Sequence, residues 1–136
     1  AELERAEDFM ATFSVMLDAH LSAHGKREKV AMWSEVMSEI CRSEEIAALY
    51  QSLERDLRNS MERALIKAIE RGQIRPTLPP DQVATLLIAL GDGLCARAAL
   101  DTSVDLMSLA EPVKVWTRSL LNPTVAAQPA ATPQFA

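Results

Sequence analysis

At 136 residues the chain is long enough for one domain that buries about two-thirds of its unfolded surface, and 49% hydrophobic with 24% charged residues is an ordinary globular composition. The net charge of −5, from 19 acidic against 14 basic residues, excludes a chain that grips nucleic acid by charge alone, because phosphate binding takes concentrated Lys and Arg. Four glycines and no strand-like alternation leave an all-α class.

Residues 2 to 24 read as the first helix. Leu3, Ala6, Met10, Phe13, Leu17 and Leu21 step by three and four, with Phe9 and Met16 beside them. Glu2, Glu4, Glu7 and Asp8 suit the positive end of its dipole, and His20 and His24 the negative end. Those two histidines have the i, i+4 spacing of metal ligands, yet a metal needs more donors and the sequence holds no third histidine. They read as helix-end residues, and no metal site is expected. The break falls at His24-Gly25-Lys26.

A second helix spans about Arg27 to Arg42, with Val30, Trp33, Met37, Ile40 and Cys41 inward and Glu35 and Glu39 outward. Ser43 is placed to cap the third helix, whose first turn carries Glu44 and Glu45. That helix runs to about Arg71, some 40 Å at about 1.5 Å per residue, as long as the domain is wide. Its stripe is Ile46, Leu49, Tyr50, Leu53, Leu57, Met61, Ala64, Leu65, Ala68 and Ile69. Glu54, Arg58 and Glu62 pair four apart on its solvated face. Gly72 follows, where a left-handed cap favours a residue without a Cβ.

The segment from Ile74 to Asp81 is a corner with three prolines, and Pro80 opens the fourth helix. From Val83 to Leu100 its only charged residues are Asp92 and Arg97. Val83, Leu86, Leu87, Leu90 and Leu94 cover one side; Ala84, Ile88, Gly91, Cys95 and Ala98 cover another. A helix apolar on two sides is covered on two sides. Gly91 and Gly93 are expected to admit the close approach of another backbone, and their surroundings lack the spacing and lysine of a phosphate loop. Asp92 reads either as a perturbed carboxylate or as part of a more polar Asp81-Thr85-Asp92 face.

A fifth helix is expected from Asp101 or Ser103 to Leu121, with Leu106, Leu109, Ala110, Val113, Trp116 and Leu120 as its apolar positions. Asn122-Pro123 ends it, and Asn122 to Ala136, uncharged with three prolines, reads as a flexible tail. The division is therefore a helical domain over 1–121 and a tail over 122–136. No uninterrupted apolar run reaches the roughly 18 residues of a membrane span, and the first residues are not a signal peptide. Cys41 and Cys95, far apart and without a CxxC, suit reduced thiols in the cytoplasm.

The stretch "ERGQIRPTLPPDQVATLLIALGDGL" resembles the matching segment of TetR-family transcriptional regulators, in which a Gly-x-(Ile/Phe)-Arg turn precedes a helix closed by Asp-Gly-Leu. Upstream, "MWSEVMSEICRSEEIAALYQSLERDL" is similar to the family's tryptophan-bearing helix and the start of its long helix. The resemblance covers roughly residues 28 to 100. It implies a five-to-six-helix bundle of the TetR C-terminal type whose last two helices build a four-helix interface in a homodimer. It also implies an inducer pocket among the earlier helices, where the residues alone favour a plain packed core. Met10, Phe13, Trp33, Met37, Tyr50, Leu53, Leu57, Met61 and Leu87 are the expected ligand contacts. Leu90, Leu94, Ala98, Leu109, Val113, Trp116 and Leu120 are the expected dimer contacts. The ligand is expected to be a small hydrophobic or aromatic molecule, with no cofactor. The chain begins without methionine and without the family's helix-turn-helix, so it reads as truncated or processed, with DNA contact left to the missing part. No nucleophile elbow or distinguished acid pair points to an enzyme. The competing readings are a dimeric helical adaptor for protein partners, and a redox sensor using Cys41 or Cys95.

Overall fold

The stripe from Leu3 to Leu21 is carried by two helices, not one: α1 (Glu2–Arg5) and α2 (Phe9–His24). Asp8 makes the break, its Oδ1 accepting from the Ala11 amide at 3.0 Å as an N-cap does. The carbonyls freed there are taken up from afar: Arg71 Nη1 donates to the Ala6 carbonyl at 2.9 Å, and Gln73 Nε2 donates to that of Glu7. Period alone hides such a break, because Leu3, Ala6, Phe9 and Phe13 are buried on both sides of it. A computed structural model of the chain describes residues 2–24 and 27–124. The predicted break at Gly25-Lys26, and the tail beyond Thr124, lie outside the described residues.

Helix α3 covers Arg27–Ile40 and α4 covers Glu44–Glu70. Ser43 caps α4 as its sequence position implied, with extended backbone and Oγ accepting from the Ile46 amide at 3.3 Å. At the other end Gly72 adopts φ +69°, and the amides of Gly72 and Gln73 reach back to the carbonyls of Ile69 and Ala68 at 2.9 Å. That pair of bonds is a Schellman closure. Helix α5 runs Pro80–Leu100 and packs on α3 and α4. Its 21 residues include a window of mean hydropathy 1.6, long and apolar enough by those measures to cross a membrane, although no uninterrupted apolar run was expected to qualify. In the fold Val83, Ala84, Leu87 and Cys95 are buried against neighbouring helices.

The fifth predicted helix starts late. Residues 101–106 form turns, Met107–Leu109 a single 3₁₀ turn, and α6 spans only Ala110–Leu121. The cause is local: Asp101 Oδ1 accepts from the Ser103 amide and hydroxyl at 2.9 and 2.6 Å, and Asp105 Oδ1 from the Met107 amide at 3.1 Å. Short acidic side chains thereby offer the backbone an alternative to the helix ladder. Leu106, 1% exposed, pins the segment into a small core with Leu21 and Ala110.

The main core joins Phe9, Phe13, Ala64, Leu65, Ala68, Ile74, Val83, Leu87 and Leu121. It therefore lies at the C-terminal half of α4. The N-terminal half carries the same stripe into solvent, with Leu49 64% and Leu53 61% exposed. Among the described residues there is no strand, only an isolated bridge between Ile74 and Pro123. Residues 122–124 stay docked on the α4–α5 corner: the Thr124 amide donates to the Gln73 carbonyl at 3.0 Å, and Asn122 adopts φ +46° as α6 ends. Replacing Gly72 by Ala is expected to lower unfolding stability by about 1 kcal/mol, since a side chain in the left-handed region costs that much. Urea denaturation of the Gly72→Ala variant reads this directly.

Candidate functional site: an apolar cavity with one unpaired carboxylate

Between α1, α2, α4, α5 and α6 lies a cavity of about 220 Å³. That is space for roughly seven waters at about 30 Å³ each. Leu3, Phe13, Leu21, Leu87, Val113 and Thr117 form its buried wall, and Leu17, Met61, Ile88, Leu90 and Leu94 continue it. Met16, His20 and Leu57, all with exposed surface, mark its rim. The lining is overwhelmingly hydrocarbon, the usual character of a small-molecule site.

The structure gathers Phe13, Leu57, Met61 and Leu87 of the expected ligand contacts around this space. Met10 packs against the main core instead, and Trp33, Met37, Tyr50 and Leu53 stand off the lining. Trp33 and Met37 are half-buried on α3, which contributes no residue to the wall, and Leu53 points to solvent. Of the expected dimer contacts, Leu90, Leu94 and Val113 also line the cavity. Leu94 and Ala98 pack on the small core, Leu120 packs on the main core, and Leu109 is half-buried. Trp116, 44% exposed, is the one that faces fully outward. Its neighbours in that respect are Val115, and on α5 the row Leu86, Ala89, Gly93 and Leu100.

The polar groups decide what the cavity does. Thr117 is satisfied internally, its hydroxyl donating to the Lys114 carbonyl at 3.0 Å. Asp92 has no protein partner: among the described residues no ion pair or hydrogen bond reaches its carboxylate, which keeps contact with solvent. Burial raises its pKa above the ordinary 3.8, and the neighbouring charge of Glu54 raises it further. Tyr50 is raised in turn by its own burial and then by Asp92 and Glu54, so the tyrosine stands beside this acidic group even though it misses the wall. Asp92 is half-buried on α5, on the same helix as the exposed Asp81 and Thr85.

His20, read from the sequence only as a helix-end residue, is the polar group at the rim. Its Nε2 lies 3.7 Å from where a Cβ would stand on Gly91, the residue before Asp92. A Cβ on Gly91 would make ordinary contact with that ring, and Gly93 has open space around it, so neither glycine meets a second backbone within this chain. Position one turn after Met16 on the cavity-facing side of α2 was the available signal for His20. Among the described residues no group of three or more His, Cys, Asp or Glu is arranged to hold a metal. Cys41 is exposed, not on a buried face, while Cys95 is buried with its thiol pKa raised by burial and by Asp92.

The described residues thus form an all-helical domain with an apolar cavity beside its last helices. The chain belongs to the family described as BetI-type transcriptional repressor, C-terminal, which matches residues 10–122. No curated protein matches it.

The raised pKa of Asp92 means that the fold binds its proton more tightly than the unfolded chain does. Its charge therefore costs stability above the folded pKa, and the cost disappears as pH falls through that value. Asp92→Asn is expected to raise the melting temperature at pH 7, with the gain shrinking towards pH 4 in thermal denaturation followed by circular dichroism.

Proposed function

We propose that this is the ligand-sensing, dimerising half of a cytoplasmic transcriptional repressor, without enzymatic activity. Its ligand is a small molecule with an apolar or aromatic body and one cationic group. The observation that carries the reading is the carboxylate of Asp92, unpaired on the wall of an otherwise apolar cavity. A partly desolvated anion beside a second acid, Glu54, is relieved most by a cation, and the surrounding hydrocarbon contributes about 25 cal/mol per Å² of ligand surface removed from water. DNA contact belongs to a helix-turn-helix of the parent repressor. Ligand acts by favouring one dimer geometry, and it shifts that equilibrium only by its difference in affinity for the two.

The dimer reading is supported by the outward apolar row of α5 and the Val115–Trp116 face of α6. Residues 86, 89, 93 and 100 share one face of α5. A two-fold interface would bury the same patch from each copy, and the open space at Gly93 would let helices approach closely. Leu90, Leu94, Ala98 and Val113, by contrast, already serve the chain's own interior.

Calorimetry with N-methylquinolinium, a flat aromatic cation, and neutral 2-naphthol tests the ligand class. Both are expected to bind, and Asp92→Asn is expected to weaken the cation about tenfold, about 1.4 kcal/mol, while leaving the naphthol unchanged. Absence of binding by either would sink the sensing reading in favour of a helical adaptor, for which the exposed Leu49 and Leu53 row would be the partner surface. For the dimer, Trp116→Glu is expected to halve the mass seen by light scattering. Val113→Asp is expected instead to lower stability, because Val113 is buried.

A further inference from the structure

We propose that His20 sets, through its own protonation, the charge that the cavity admits. Neutral, it lets a cation pass the rim and reach Asp92; protonated, it repels the same cation. The proposal rests on the cationic-ligand reading above and adds its regulation.

The geometry is that of a gate residue. His20 shares the cavity lining with Asp92, stands at the rim beside Met16 and keeps one edge exposed to solvent. Its ring lies 4.2 Å from that of His24, tilted by 33°. His24 Nδ1 sits 2.9 Å from the His20 carbonyl, so that nitrogen carries the proton and donates it. No anion is free to hold an imidazolium at His20 from its own helix: Asp18 is engaged by Lys114 of α6 at 2.8 Å, and Lys114 is shared with Glu111 at 2.9 Å. Of the charged and titratable groups on the elements packed around the cavity, Asp92 of α5 shares the lining and Glu54 and Tyr50 of α4 lie behind it, while Glu28, Lys29, Glu35 and Glu39 of α3, which also packs on α2, are off the lining. The 3₁₀ turn Met107–Leu109, which also packs on α2, carries none.

Burial, and then the proximity of His24, keep the imidazole pKa below its ordinary 6.5. At neutral pH the ring is therefore uncharged and the only charge on the lining is the carboxylate. As pH falls below that range, the rim acquires a positive charge within the same cavity. Two like charges several ångströms apart at a partly solvated site are worth a factor of about five to ten in affinity. An uncharged ligand would not register the change. A histidine titrating under a cation site thus converts acidification into ligand release.

The test is calorimetric titration of N-methylquinolinium, whose charge does not depend on pH, at pH 7.5 and pH 5.0. Wild-type chain is expected to lose about five- to tenfold in affinity at the lower pH. His20→Gln is expected to lose distinctly less, and His20→Lys to bind weakly at both values. Binding of 2-naphthol is expected to stay flat in all three. The substitutions fall at an exposed rim, and circular dichroism verifies that they fold. A His20→Gln profile identical to wild type would overturn the proposal, since protonation of Asp92 alone would then account for the loss. So would binding that does not respond to pH. If the cation fails to bind at pH 7.5, the cationic-ligand reading itself falls; binding without a His20 effect removes the gate and leaves that reading standing.

Discussion

The corner that follows α4 holds the rest of the domain in place. Its Schellman closure aims the chain so that Ile74 is fully buried, and the Arg75 amide donates to the carbonyls of Leu121 and Asn122 at 3.1 and 3.0 Å. The same few residues reach in the opposite direction to the break between α1 and α2, through Arg71 and Gln73. Lys67, one turn earlier, pairs with Glu4 at 2.9 Å. Three distant parts of the chain, its start, its middle and the end of α6, are thus tied to one turn. Their backbone carbonyls find donors there that regular helix would otherwise supply.

Around the corner, Leu65, Ala68, Val83 and Ala84 are buried almost completely. Beside the middle of α4 and of α5, hydrocarbon from five elements lines a space without filling it. An unfilled apolar volume forgoes dispersion contacts and therefore weakens the fold. A ligand that fills it restores those contacts, and by mass action it stabilises the form of the chain that binds it. The cavity and the exposed row Leu49–Leu53 have one origin: α4 outruns the partners that cover its C-terminal half.

Much of this was legible in the residues. Ser43, Gly72 and Pro80 each act through backbone chemistry that is local, and each ends or starts a helix where the sequence placed it. The two misplaced boundaries, at Asp8 and over 101–109, share a cause. Aspartates there capture nearby amides, and in the sequence they look like acidic residues of a first turn. The cavity was harder to read. Periodicity tells which face of a helix is apolar but not which neighbour the face meets, and Val113, Leu90 and Leu94, expected at a second copy, border the internal space of this chain. Trp33 and Tyr50 drew notice for their size, and they stand off the lining of this space. His20 was passed over because a histidine near a helix end already has a sufficient local role.

Asp92 stands apart from the acids that have structural partners. The acids with structural tasks are all engaged: Glu4 with Lys67 and Arg63, Asp18 with Lys114, Asp101 with Ser103. Each offsets its desolvation with a partner. Asp92 has none among the described residues, stands against hydrocarbon, and faces a further acid in Glu54. Packing does not require it, since an asparagine or alanine would fill the same helical position at lower electrostatic cost. A carboxylate at such a position is the feature on which the proposed cationic ligand rests. The neutral imidazole at the rim then follows the same logic, because a permanent cation there would cancel the attraction that the carboxylate provides.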